Sequence, residues 1–353
     1  MNTRFHTLTI AGIRQEIGSK AASVTFAVPP ELNETFSWGA GQHLPLRFKI
    51  DGKEHRRCYI ISNPPGAPLR ITVKRLKDGV VSNHIADDLK AGQTLEAMPP
   101  LGQFFLQPDP MARRTHYFFG GGSGITPLFA MIKELLVHEP HSVIHLIFGN
   151  KTADTILFRE ELDALVDEHP DRFTLRYMLS SPSMWSWFAP WRSGRIGAEA
   201  ISAAFAETRP VAQDVRYWIC GPGAMNKSVR GTLMALDVPA SRIHLESFGC
   251  GEMDTGTAIK GIDATASLTL NGSRQSIGMA EDQTLLEAAL AFGLKPPYSC
   301  QSGVCGACKA RLVKGKVRMR TQMALTERDI KQGDILTCQS VADTPELQIE
   351  FPS

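Results

Sequence analysis

Cys300, Cys305 and Cys308 follow a Cys-x4-Cys-x2-Cys spacing, with Cys338 as a distant fourth thiol. This is the arrangement by which a [2Fe–2S] cluster is held. The chemistry open to such a set is one-electron transfer. A tight loop encloses one iron and the bridging sulfides, and the remaining thiolate comes from a segment that packs back across them. Gly303 and Gly306 suit that loop. Residues without side chains turn at positive φ and let backbone N–H groups approach negatively charged sulfides. The alternative is zinc held by the same thiols, although structural zinc sites more often use two Cys-x2-Cys units or mixed Cys/His sets.

Other segments are suited to phosphates and rings. Gly120-Gly121-Gly122-Ser123-Gly124-Ile125-Thr126-Pro127 lies between an apolar run and a helical pattern. Bare backbone at a helix N-terminus accepts a pyrophosphate there, and a tight packing turn is the competing reading. Cys220-Gly221-Pro222-Gly223 repeats the arrangement, with a small buried thiol as the other fate of Cys220. Arg57 and Tyr59 share a strand face, one able to neutralise a phosphate and the other to stack on a planar ring. The plainer alternative is a solvated Arg beside a packed Tyr. Gly79-Val80-Val81-Ser82 opens a helix and offers a second phosphate-sized site.

Three further groups carry weaker signals. His138, His141 and His145 straddle a helix end and a strand with no fourth ligand beside them, so they read as surface or capping residues. Trp185, Trp187 and Trp191 crowd one loop and read as a local apolar cluster or as a cover for an adenine. Lys309, Arg311, Lys314, Lys316, Arg318 and Arg320 form a basic run that is either a solvated strand face or a dock for an acidic partner.

These groups need elements to hold them. Short alternating runs over residues 5–10, 23–28, 44–50, 54–61 and 69–75, with Asp51-Gly52 as a two-residue hairpin turn, predict an antiparallel β-barrel. One helix is expected over 82–89, with Ser82 as its N-cap. From Thr115 to Phe248 apolar strands alternate with helical segments, which implies a doubly wound α/β domain around a parallel sheet. Residues 249–264 read as a linker that leaves the last domain tethered but movable. A hairpin at Asn271-Gly272 and a Thr284–Glu287 capping box then open a compact α+β unit around the cysteines. The expected division is 1–111, 112–249, a linker over 250–264, and 265–353.

A length of 353 residues with 43% hydrophobic content fits two or three domains. A net charge of +2 gives no reason to expect nucleic-acid binding or membrane adhesion. No apolar stretch reaches the length of a membrane span, and the opening residues lack a signal-peptide core. Of seven cysteines only four cluster, leaving Cys58, Cys220 and Cys250 unpaired, as in a reducing compartment. The expectation is a cytoplasmic protein.

Taken together, Arg57-Cys58-Tyr59, Gly79-x-x-Ser82, the Gly-rich loop ending Ile125-Thr126-Pro127, Cys220-Gly221-Pro222 and the four cysteines resemble the ferredoxin–NADP reductase superfamily. More closely, they resemble the reductase components of bacterial oxygenases that carry a C-terminal [2Fe–2S] ferredoxin domain of β-grasp type. The resemblance implies FAD in the barrel, with Arg57 on its pyrophosphate, Tyr59 against the isoalloxazine and Gly79 to Ser82 at the phosphates. It implies NAD(P)H on Gly122, Ser123, Gly124, Thr126 and Pro127 and on Cys220, Gly221, Pro222 and Gly223, with Cys220 and Thr126 near the nicotinamide. Glu246 matches an acidic position that approaches the flavin. One departure stands out: the hydroxyl residue expected after Tyr59 is Ile60, so only a backbone N–H remains there for flavin N5.

The implied function is an enzyme that takes hydride from NAD(P)H onto FAD and passes single electrons through the cluster to an oxygenase or hydroxylase. A nicotinamide gives up two electrons together and a cluster accepts one, so a flavin must stand between them. The competing readings are an electron carrier or docking module with an inactive flavin lobe, and an FMN-type dioxygenase reductase. Gly79-x-x-Ser82 favours FAD.

Overall fold

The computed structural model describes residues 4–182, 191–248 and 259–352. Its first six strands are β1 (His6–Glu16), β2 (Ala21–Ala27), β3 (His43–Ile50), β4 (Lys53–Ile60), β5 (Arg70–Lys74) and β6 (Thr94–Ala97). They form an antiparallel sheet in the order β4-β3-β6-β1-β2-β5, and a bridge between Ile61 and Ile71 joins its two edges into a barrel. Alternation along β3 turns Leu44, Leu46 and Phe48 inward, each almost fully buried. The helix α1 (Val80–Asp87) packs Val81 and Ile85 on the same core.

Two expectations change in this region. β6 has only four residues, two of them polar, too few for a visible alternation, and it was not foreseen. Ser82 is not the N-cap of α1. Gly79 holds that place, and the Ser82 hydroxyl lies inside the first turn, donating to the Gly79 carbonyl at 3.2 Å and accepting from Leu76 N–H at 3.1 Å.

The second sheet is parallel throughout and runs β10-β9-β8-β7-β11-β12. Its strands are β7 (Arg114–Gly121), β8 (Val143–Asn150), β9 (Phe173–Leu179), β10 (Trp191–Ser193), β11 (Asp214–Cys220) and β12 (Ile243–Glu246). Helices α2 (Ile125–His138) and α3 (Arg159–Glu168) cover one face, and α4 (Ala198–Glu207) and α5 (Gly223–Ala235) cover the other. Alternate residues of the central strands therefore enter two different cores, Phe118 and Trp218 on one side, Tyr117 and Ile219 on the other. This is why these strands read as continuous apolar runs. The sequence reading missed β10 and α4. Trp191 pairs with Tyr177 in the sheet, whereas Trp185 and Trp187 lie outside the described residues.

The third unit is a five-stranded sheet in the order β14-β13-β19-β15-β17. Its strands are β13 (Ala264–Leu270), β14 (Ser273–Met279), β15 (Lys309–Lys314), β17 (Asp334–Leu336) and β19 (Glu346–Glu350). A small ribbon pairs β16 (Val317–Met319) with β18 (Ser340–Ala342). Across the sheet lies α6 (Leu285–Ala291), and α7 (Glu327–Lys331) follows the cysteine loop. The capping box on α6 is formed: Thr284 Oγ1 accepts from Glu287 N–H and Glu287 Oε2 accepts from Thr284 N–H. Most of the expected linker lies outside the described residues. Its last part, before β13, carries no strand.

Among the described residues no helix is long and apolar enough to cross a membrane.

Candidate cofactor sites and the junction between them

The four cysteines come together as two pairs. Cys300 hydrogen-bonds Cys305, and Cys308 hydrogen-bonds Cys338. Gly303 and Gly306 both adopt positive φ, +74° and +72°. A side chain at Gly303 would overlap Thr321 and Gln339, so the loop closes tightly only with glycine there. Backbone N–H groups of Ser302 and Ala307 approach the Cys300 and Cys305 sulfurs at 3.4 and 3.5 Å, and Gln339 Nε2 approaches Cys338 Sγ at 3.5 Å. The hydrogen bond that Cys308 donates to Cys338, together with burial, drives the Cys308 thiol far up. Three buried sulfurs and the half-buried Cys300, with N–H donors around them, fit thiolates neutralised by iron, two per metal ion.

The two pairs have different surroundings. Cys308 and Cys338 pack with Leu286 and Leu336 inside their own unit. Cys300 and Cys305 instead pack with Met98, Leu101, Phe5 and Cys58 of the barrel. Further contacts tie this junction. Arg56 lies over the Tyr298 ring at 3.9 Å and donates from Nη1 to the Tyr298 carbonyl at 3.0 Å. Cys58 Sγ is 3.2 Å from Ser299 Oγ, and His43 Nε2 is 3.2 Å from the Cys305 carbonyl oxygen. Sequence reasoning left Cys58 as an unpaired thiol and did not single out Arg56 or His43. The one available signal was the alternation of β4, which turns Cys58 away from the face shared by Arg57 and Tyr59.

On that other face Arg57 is exposed, with Nη1 donating to the Arg56 carbonyl, and it forms no salt bridge among the described residues. Tyr59 packs against the barrel core, and burial pushes its hydroxyl well up. His43, opposite Ile60 in the ladder, commits both of its backbone groups to Leu101. The N–H of Ile60 therefore points away from β3. An exposed guanidinium, a half-buried ring and a backbone donor within four residues fit a flavin diphosphate and its ring. Ser82 fits less directly, because its hydroxyl is buried and committed within its own turn.

The two glycine loops of the second sheet, 120–127 and 220–223, abut. A Cβ at Gly124 would overlap the carbonyl of Cys220, and one at Gly121 would press on Pro222 and Met225. At Gly122 nothing lies within 4 Å of that position, so the loop is open there. Ser123 gives its carbonyl to Thr126 Oγ1 at 2.9 Å, just inside the start of α2, and Pro127 sits buried in that first turn. Pro222 is the N-cap of α5, which begins at Gly223 beyond Gly221. Two helix N-termini thus meet at one crevice beyond the strand ends, the place where α/β sheets bind nucleotides.

The Cys220 side chain is fully buried in the sheet core, and burial followed by the nearby Glu246 holds it as a thiol. Glu246 is its ladder partner on β12. Burial, opposed by the Ser247 N–H and aided by the neighbouring Cys300, brings the Glu246 carboxyl up to about 7. The crevice, the carboxyl and the barrel-facing thiol pair are therefore neighbours.

The weaker signals resolve as structure. His145 hydrogen-bonds Thr174 and His138 faces Glu134. The basic run is largely compensated: Lys309 and Arg311 bind Asp334, Lys314 binds Glu346, Arg318 binds Asp343, and Arg320 caps the Asp282 carbonyl. It reads as a salt-bridged strand face.

Three domain families match in series. The oxidoreductase FAD-binding domain covers residues 12–106, the oxidoreductase NAD-binding domain 118–231 and the 2Fe-2S iron-sulfur cluster binding domain 268–343. The chain is 34% identical to one polypeptide of the 1,2-phenylacetyl-CoA epoxidase of Escherichia coli K12, covering 99% of this chain and 98% of that one. It is 33% identical to the ferredoxin reductase component of 3-ketosteroid-9-alpha-monooxygenase of Rhodococcus rhodochrous, over 98% and 96% of the two chains. Among solved structures, phthalate dioxygenase reductase aligns with a TM-score of 0.59 at 24% identity over 98% of both chains. An intact type IV self-sufficient cytochrome P450 monooxygenase aligns with a TM-score of 0.69 at 21% identity, over 98% of this chain and 41% of that one. These two likenesses show the shared fold. With its barrel, parallel sheet and cysteine-bearing unit in the same order as these relatives, the chain belongs to the family of oxygenase reductase components that join FAD-binding, NAD-binding and [2Fe–2S] domains in one polypeptide.

Proposed function

We propose that this chain draws electrons from NAD(P)H and delivers them one at a time, through FAD and a [2Fe–2S] cluster, to a separate oxygenase or hydroxylase component. FAD, when bound, supplies the conversion between a two-electron donor and a one-electron acceptor. The chain's residues do the positioning. Arg57 takes the diphosphate charge, Tyr59 lies against the ring, and the Ile60 N–H serves where a hydroxyl is missing. Gly79 and Ser82 shape the turn beside the phosphates. Gly122 to Pro127 and Cys220 to Gly223 hold the nicotinamide nucleotide with their backbone, and buried Cys220 and Thr126 form the floor of that crevice. Glu246, neutral over part of the physiological range, holds a proton next to the same crevice. Cys300 with Cys305, and Cys308 with Cys338, each hold one iron.

The observation that carries this reading is the position of β4. One face bears Arg57 and Tyr59, and the other touches the Cys300/Cys305 pair. Six cysteines free of disulfides support placement in the cytoplasm. We divide the chain at 111, 249 and 264.

Purification tests the reading. The expected product is yellow-brown, contains two irons and two acid-labile sulfides, releases FAD, and bleaches on anaerobic addition of NADH or NADPH. A brown protein without flavin would leave only the electron-carrier reading. Release of FMN would give the dioxygenase-reductase type, and zinc in place of iron would end the proposal.

A further inference from the structure

Two barrel side chains converge on the Cys300/Cys305 segment. The Cys58 thiol lies 3.2 Å from Ser299 Oγ and packs with Cys300 and Cys305. His43, 5% exposed, reaches the Cys305 carbonyl with Nε2 at 3.2 Å. These contacts span 241 and 262 positions of sequence. A carbonyl oxygen only accepts, so His43 Nε2–H is the donor in that contact. Both residues belong to the β3–β4 ladder through their backbones, which leaves their side chains free to face the cysteine loop, and among the described residues packed on the second thiol pair none comes from the barrel.

A cluster gains negative charge on its sulfurs when it is reduced, and donors directed at its ligands favour that state. The Cys58 S–H donates to Ser299 Oγ, next to Cys300, so a donor from outside the ferredoxin unit acts beside that ligand. We propose that Cys58 and His43 are positioning residues that raise the reduction potential of the [2Fe–2S] cluster from across the domain boundary, Cys58 by donating to Ser299 beside Cys300 and His43 by fixing the Cys305 carbonyl. The inference rests on the functional reading above. It gives the barrel a second task, since the strand that carries the flavin residues also sets how readily the cluster accepts an electron.

The test is an anaerobic redox titration of the full-length, FAD- and iron-loaded protein, followed by EPR of the reduced cluster. Cys58→Ala is expected to lower the ratio of reduced to oxidised cluster at a fixed ambient potential by about five- to tenfold, tenfold being 59 mV for one electron. It should shift the EPR g-values while leaving flavin potential and iron content unchanged. Cys58→Ser, which retains a donor, should stay within about twofold of wild type. His43→Leu should act in the same direction with a smaller effect, and His43→Gln, which keeps an N–H near that place, should restore it.

A fully loaded Cys58→Ala protein with wild-type potential and g-values overturns the inference and leaves the functional reading intact. Should that variant fail to retain its cluster, a loaded His43→Leu protein with wild-type potential overturns it equally. A wild-type protein without iron and sulfide removes both together.

Discussion

Residues 120–127 and residues 298–307 are both glycine-punctuated loops, and they are held from opposite directions. The nucleotide loop is gripped by its own sheet: Gly124 rests on the Cys220 carbonyl and Thr126 bonds back to Ser123. The cluster loop is gripped from another unit, with Arg56 on Tyr298, Cys58 beside Ser299 and His43 on Cys305. A crevice for a nucleotide that comes and goes is thus built to persist by itself. A loop around a resident cluster can lean on the domain with which it exchanges electrons.

The sharpest way to break the first loop is Gly124→Val. Its side chain has backbone, not a flexible neighbour, in its place, so the two loops must separate. We expect a loss of about 3–4 kcal/mol in stability and at least about a tenfold weakening of nicotinamide-nucleotide binding, read by thermal denaturation and by titration of flavin bleaching. The matching change in the second loop is Gly303→Ala, which combines a left-handed φ with an overlap on Thr321 and Gln339. It should cost about 2–3 kcal/mol locally and lower the iron and sulfide content of purified protein while leaving FAD content unchanged.

Glu139 sharpens the self-supported side of the comparison. It sits 1% exposed just past the end of the helix that begins at the nucleotide loop, and Arg114, His116 and Ser142 all donate to it. Although burial pushes its carboxyl up, the donors from His116 and Ser142 prevail and bring it down to about 2. Its stabilisation is therefore present above the unfolded carboxylate range, near pH 4.5, and is lost as pH falls towards 2. Glu139→Gln should lose on the order of 2 kcal/mol at pH 7, and acid-unfolding curves of variant and wild type should converge below about pH 3.

The smallest effect belongs to the cross-domain grip. Arg56→Ala removes the ring contact and the carbonyl bond to Tyr298, about 1–2 kcal/mol of docking, along with barrel contacts to Phe5 and Glu54. Hydrogen exchange should rise in residues 298–307 and stay unchanged in residues 120–127; equal change in both loops would erase the contrast.

How far each loop was legible follows from the same difference. Local chemistry writes itself into spacing: the Cys-x4-Cys-x2-Cys run, the Asp51-Gly52 turn with φ of +49° and +73°, and the Thr284–Glu287 box are all decided within a few residues. Contacts that depend on distant partners leave no such trace. His43 alternates correctly as a barrel residue, and nothing near it announces a bond to Cys305. Ser82 looked like a cap because its residue type favours caps, yet the Gly79 backbone took that place and the hydroxyl turned inward. The helix α4 escaped notice because only Ile201 and Ala204 of its ten residues are buried, too thin a stripe for a clear period.

The parallel pairing of β13 with β19 has a consequence for biosynthesis. The central seam of the third sheet joins its first strand to one made some eighty residues later, and Cys338 is translated shortly before that partner. The barrel and the nucleotide sheet have all their strands well before then. On a ribosome they are able to fold and take up FAD while the cysteine loop still lacks its final ligand and its seam. Metal insertion is then the last step, performed on a loop whose landing site, built around His43 and Cys58, is already waiting.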